Sequence, residues 1–142
     1  MAEVRVSGGI VGEIGPGFVV LLGVAAGDTE ADAAAIATKI GGLRVFSDDE
    51  GRMNLDLADV GGAVLLVSQF TLLADVRKGR RPSFVAAADP KHAGRLVNEV
   101  EMRLRGAGLE VATGEFGVHM KVELVNDGPV TIVIDAGDGS IR

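Results

Sequence analysis

The stretch GVHMKVELVNDGPVTIVID, residues 117–135, holds two apolar runs on either side of Asn-Asp-Gly-Pro. In the first run Val118, Met120, Val122 and Leu124 alternate with His119, Lys121 and Glu123, which is the period of a strand with one covered face. The second run, PVTIVID over 129–135, predicts another strand. Between them, Pro129 lacks an amide donor and is disfavoured inside a sheet, while Gly128 adds conformational freedom. The pair is therefore either a plain turn or a shaped piece of backbone with a function.

Working outward, AEVRV (2–6), GFVVLLGV (17–24), AVLLVSQF (63–70) and LEVAT (109–113) also predict strands. Several are continuously apolar, as expected where both faces of a strand are covered. Two segments predict helices. After Asp28 or Thr29 as N-cap, Ile36, Ile40 and Leu43 recur at helical spacing until Gly41-Gly42 weakens the end. In ADPKHAGRLVNEVEMRLRGAG, Asp89 can cap and Pro90 suits the first turn. Ala93, Leu96, Val97, Val100 and Leu104 then form one stripe, and Gly106 and Gly108 stop it. The sum is a single compact α/β domain, with two main helices on a mixed, mostly antiparallel sheet or small barrel. The apolar faces left over predict a homodimer. The domain spans 1–135, and AGDGSIR (136–142) predicts a flexible end.

With 142 residues, 47% of them hydrophobic, the chain can bury a substantial core. It has no Cys, hence no disulfide, thiol nucleophile or Cys-based metal site, which suits a reducing cytosol. No apolar run reaches the roughly 18 residues that span a membrane, and the opening residues lack a signal peptide's pattern. These features predict a soluble, cytoplasmic protein. A net charge of −6 argues against indiscriminate nucleic-acid binding. RKGRR nevertheless gathers Arg77, Lys78, Arg80 and Arg81 into five positions, a cationic loop able to hold phosphates in one place. On spacing alone it is equally a solvated turn.

The polar chemistry is sparse. His92 and His119 lie far apart and beside no cluster of ligands, so no metal or other cofactor is expected. Asp48, Asp49 and Glu50 precede Gly51 and predict a loop, and neither GxGxxG nor GxxxxGK[ST] occurs. Ser68 and Thr71, in SQFTLLAD, stand where an apolar strand ends and the basic loop begins. Either could be a nucleophile if His119 came within reach as base, or both could make ordinary strand-end hydrogen bonds.

VSQFTLLADVRKGRRPSF (67–84) followed by NDGPVT (126–131) resembles the D-aminoacyl-tRNA deacylase family, of the D-tyrosyl-tRNA deacylase type. The likeness continues through VGEIGPG (11–17), KIGGLRVFSDDEGRMNLDL (39–57) and TGEFGVHMKVELVNDGPVT (113–131), nearly the whole chain. It implies a cytosolic, metal-free homodimer that hydrolyses the ester of a D-amino acid, or of glycine on an alanine tRNA, to the 3′-terminal adenosine. It implies a cis Gly128–Pro129 bond, in a loop reaching into the partner's pocket and rejecting L-residues by its backbone. Catalysis is then assisted by the tRNA ribose hydroxyl, with backbone donors around Ser68, Gln69 and Phe70. Thr71 shapes the pocket or is the nucleophile, Phe70 lies beneath the adenine or fills the core, and Met120 lines the pocket. Arg77, Lys78, Arg80 and Arg81 bind tRNA phosphates. The family also begins with an additional strand whose arginine braces the Gly-Pro loop. The present sequence opens just after it, and Arg5 falls in a different strand. Two rival expectations are a non-catalytic RNA- or nucleotide-binding dimer and a hydrolase of small esters using Ser68 or Thr71 with His119.

Overall fold

Ser-Gly at positions 7 and 8, both at positive φ, turns the first two strands into a tight hairpin. In the computed structural model, which describes residues 1–142, these are β1 (Ala2–Val6) and β2 (Gly9–Ile14). There follow β3 (Gly17–Leu22), α1 (Glu30–Gly42), a small hairpin of β4 (Phe46–Ser47) and β5 (Met53–Leu55), and the one-turn α2 (Leu57–Val60). After β6 (Ala63–Ser68), a 3-10 turn over Phe70–Leu73 enters a long loop. The chain ends with α3 (Pro90–Gly106), β7 (Glu110–Thr113), β8 (Lys121–Leu124), and a hairpin of β9 (Ala136–Gly137) and β10 (Ser140–Ile141).

β6 is the centre. It runs parallel to β3 on one side and β7 on the other, so its backbone is fully paired. Because side chains alternate, Val64 and Leu66 meet Ala37, Ile40, Leu96, Val100 and Leu104 from α1 and α3. Ala63, Leu65 and Val67 meet Ala2, Val4 and Ile14 from the antiparallel sheet β2–β1–β8. Helices, parallel sheet and antiparallel sheet therefore form three layers, and burial on both faces explains why AVLLVS has no polar alternation. Leu65 and Leu66 are almost wholly covered, each burial stabilising the fold by about 1.5–3 kcal/mol.

The two main helices form where the sequence predicts them, while α2 and the 3-10 turn were not foreseen. Thr29 is the N-cap of α1, with its amide donating to Asp32 Oδ2 at 2.9 Å. At α3 the Asp89 carboxylate accepts from the His92 amide at 3.0 Å, and Ala93, Leu96, Val100 and Leu104 are the buried stripe.

Four expectations need correction. The sheets are mixed and most strand pairings are antiparallel, as predicted, with β6 paired parallel at the centre, but they do not close into a barrel. The strand expected over 117–125 shortens to β8, paired only to β1 and exposed on both faces. Residues 129–135 form no strand, because no strand of the chain lies alongside to complete a ladder. Val133 is 92% exposed there. The end expected to be flexible, 136–142, instead carries the β9–β10 hairpin, whose Gly139 amide donates to Asp32 Oδ1 at 2.8 Å. Asp32 is buried, and the amides of Thr29 and Gly139 hold its carboxyl below the usual range.

Candidate active site

At the carboxyl end of β6 the apolar run stops at Ser68, and the Gln69 amide donates to Leu22 O at 2.8 Å, extending the pairing with β3 by one residue. The chain then tightens into the 3-10 turn. Its leading amides, those of Phe70 and Thr71, have no backbone partner. The Gln69 amide itself is used by the sheet and is not a free donor. Gln69 Nε2 donates to Thr71 Oγ1, which ties the two side chains together.

Neither histidine supplies a base here. His92 Nε2 donates to Asp28 O at 2.7 Å, tying α3 to the loop after β3, and its Nδ1 accepts from Arg95 of the same helix at 2.9 Å, so both ring nitrogens are engaged. His119 is exposed and makes no hydrogen bond to Ser68 or Thr71. The Ser/Thr–His constellation that sequence left open is not assembled within the chain.

Ser68 opens into a cleft of about 240 Å³ bounded by α3, the end of β7 and Phe116. Gly94, Val97, Asn98 and Glu101 line its helical side, with Thr113 and Gly114 opposite. The sequence singled out none of these four helical residues as a site residue; Val97 alone was named, as core. Gly94 offered a signal, since glycine inside a helix costs about 1 kcal/mol relative to alanine. A Cβ there would stand 3.8 Å from the Phe116 ring, in ordinary contact but inside the cleft. Met120 does not line this cleft. It packs against the core cluster of Val4 and Leu65 and presses on Gly114, where a Cβ would lie 2.5 Å from its Sδ. It stands behind the wall.

Phe70 is 58% exposed and meets the edge of Phe84 with ring centroids 5.1 Å apart, so it is an open aromatic face rather than core filler. Beyond it, Asp75 and Ser83 exchange backbone hydrogen bonds at 2.7 and 2.9 Å, closing the neck of the basic loop. Arg77 is already bound twice by the Asp75 carboxylate, which that guanidinium holds below its ordinary pKa. Lys78, Arg80 and Arg81 are exposed and make no ion pair.

Gly128 and Pro129 do not line the Ser68 cleft of their own chain. Their peptide bond is cis, and Gly128 has φ +149°, a conformation that L side chains rarely adopt. The turn is exposed throughout, and the Asn126 side chain spans it, accepting from the Val130 amide at 2.9 Å and donating to Thr131 Oγ1 at 3.0 Å. A larger apolar trough, about 660 Å³, lies between the end of β3, α1, α3 and residues 133–138, and contains none of Ser68, Gln69 and Thr71. No helix is long and apolar enough to cross a membrane.

The family profile described as D-Tyr-tRNA(Tyr) deacylase matches residues 1–135. A D-aminoacyl-tRNA deacylase of Dehalococcoides mccartyi is 59% identical over 137 residues, covering 96% of this chain and 90% of that protein. One from Symbiobacterium thermophilum is 59% identical over 135 residues, covering 95% and 89%. Among solved structures, a c-Myc DNA unwinding element binding protein superposes with a TM-score of 0.89 at 37% identity, covering 96% of this chain and 93% of its own.

Proposed function

The chain belongs to the D-Tyr-tRNA(Tyr) deacylase family and hydrolyses D-aminoacyl-tRNA esters, and on that premise we propose how its residues select and cleave the substrate. The observation that carries the reading is a strand-end cleft at Ser68 with unpaired backbone amides in the turn that follows and no histidine bonded to Ser68 or Thr71. An aminoacyl ester is already labile. The vicinal ribose hydroxyl of the terminal adenosine helps to activate water, and the Phe70 and Thr71 amides stabilise the oxyanion that develops on the ester carbonyl. Ser68 and Gln69 shape the approach, and the open ring of Phe70 stacks on the adenine. Lys78, Arg80 and Arg81 hold tRNA phosphates in the cytoplasm, with Arg77 oriented by Asp75.

Selection belongs to Gly128 and Pro129. Their backbone carbonyls grip the substrate's α-amino group and fill the volume an L side chain would need. A D side chain points away from them, and glycine has none, so glycine carried on an alanine tRNA is also a substrate. Exclusion of this kind lets one site accept many D-residues. Since the turn does not line its own chain's cleft, it acts in that of a second copy. The exposed apolar residues Val122, Leu124, Val125 and Ile132 beside the turn support such a homodimer.

Single-turnover hydrolysis of D-Tyr-tRNA and L-Tyr-tRNA tests the proposal. The D-ester is expected to disappear fast and the L-ester to persist. In Gly128→Ala an added Cβ would meet Val130 Cγ2 at 2.9 Å and its amide nitrogen at 3.0 Å, so the turn must shift and the discrimination must fall. Retained rejection of the L-ester in that variant would refute selection by this backbone. Salt-sensitive tRNA binding without turnover of either ester would mean a binding module instead.

A further inference from the structure

The chain around the Gly-Pro turn has almost nothing to hold it. Across residues 125–135, the backbone hydrogen bonds outside regular elements are only Val125 N to Met1 O and Arg142 N to Asp135 O, one at each end of the segment. Every residue of the turn is exposed within its own chain, so packing inside the subunit does not fix it either. The contacts that span it come from one side chain. Asn126 Oδ1 accepts from the Val130 amide at 2.9 Å and its Nδ2 donates to Thr131 Oγ1 at 3.0 Å, which staples the residue before the turn to the two after it.

We propose that Asn126 is a positioning residue for stereochemical selection, acting through the Gly128–Pro129 backbone rather than on the substrate. The inference rests on the reading that this turn performs the selection. An amide suits the task because it presents an acceptor and a donor on one rigid plane, matching one amide N–H and one hydroxyl oxygen. Without it, the subunit supplies no contact that spans the four residues 127–130, and the two carbonyls enter the partner's cleft without a preset direction. A serine or alanine could not bridge the same span. Aspartate keeps the acceptor for Val130 and loses only the donor to Thr131.

The test is the ratio of single-turnover rates on D-Tyr-tRNA and L-Tyr-tRNA for the full chain and for Asn126→Ala, Asn126→Asp and Thr131→Val. Asn126→Ala should lower the D:L ratio by about tenfold or more, on the order of one or two hydrogen bonds. Asn126→Asp should recover most of that ratio, and Thr131→Val should cost less than Asn126→Ala. The melting temperature should stay close to that of the parent, since the loop contributes little burial, and this separates a positioning role from a folding one. A parental D:L ratio in Asn126→Ala would overturn the inference while leaving selection by the turn intact. Loss of both activities in Asn126→Ala at an unchanged melting temperature would also overturn it, assigning the residue to turnover. A parent chain that does not distinguish the two esters would overturn both.

Discussion

Thr71 is the sharpest case at the scale of single residues. Its hydroxyl oxygen accepts from Gln69 Nε2, and no histidine, carboxylate or amine stands ready to take its proton. A nucleophilic hydroxyl without a base is a poor catalyst, whereas one held by a neighbouring amide can shape a wall and set the direction of its own unpaired backbone amide. The Thr71→Ala variant should therefore keep turnover of D-Tyr-tRNA within about tenfold of the parent. An obligatory nucleophile would lose on the order of 10⁴-fold or more. A rapid-quench measurement of single-turnover rate distinguishes the two, and a trapped acyl-enzyme in the parent would reverse the assignment.

At the scale of elements, α3 shows why a helix can give up stability for a site. Its buried stripe was readable because Ala93, Leu96, Val100 and Leu104 recur with the helical period, and Asp89 and Pro90 mark the start with local chemistry alone. The same locality made α1 and the apolar β6 legible. Residues 129–135 and the end of the chain were not, for one physical reason. A strand needs a neighbour to complete its ladder, and apolar composition carries no information about whether that neighbour exists. PVTIVID has none within the chain. AGDGSIR, with little to recommend it by composition, is held by the buried carboxylate of Asp32 more than a hundred positions upstream. The candidate site divides in the same way: Ser68, Gln69, Phe70 and Thr71 are neighbours in sequence and were found together, while Gly94, Asn98 and Phe116 join Ser68, the one of the four that lines the cleft, only through packing. Gly94→Ala tests that division. It should stabilise α3 by about 0.5–1 kcal/mol in thermal or urea unfolding, because alanine is the better helix former. It should also slow hydrolysis, because the new methyl intrudes on the cleft beside Phe116. A stabilised variant with an unchanged rate would remove this cleft from the reaction.

Taken whole, the molecule is an acidic body whose carboxylates fasten its turns and caps. Asp32, Asp48, Asp75 and Asp89 are all held below the ordinary value near 3.8, chiefly by backbone amides or, at Asp75, by Arg77. A carboxyl whose pKa is lower in the folded than in the unfolded state contributes stability fully above its unfolded value, and loses it as pH falls through the folded one. The melting temperature should thus be nearly flat from neutrality down to about pH 5 and fall in the acid range below the ordinary aspartate value. Asp32 is the buried member of the set and the one that joins distant parts, α1 and the β9–β10 hairpin. In Asp32→Asn one oxygen remains to accept, and either the Thr29 or the Gly139 amide faces an NH₂ group, a loss of about 1–3 kcal/mol for an unsatisfied buried donor. The variant should melt lower than the parent at neutral pH. Its acid limb should also be shallower, because the other three carboxylates still titrate but the buried one does not. Below the folded pKa of Asp32 the parent carries a neutral carboxylic acid in the same place, so the two melting curves should converge there. A gap that stays constant from neutrality through the whole acid limb would show that the shape of the side chain, and not its charge, secures the hairpin.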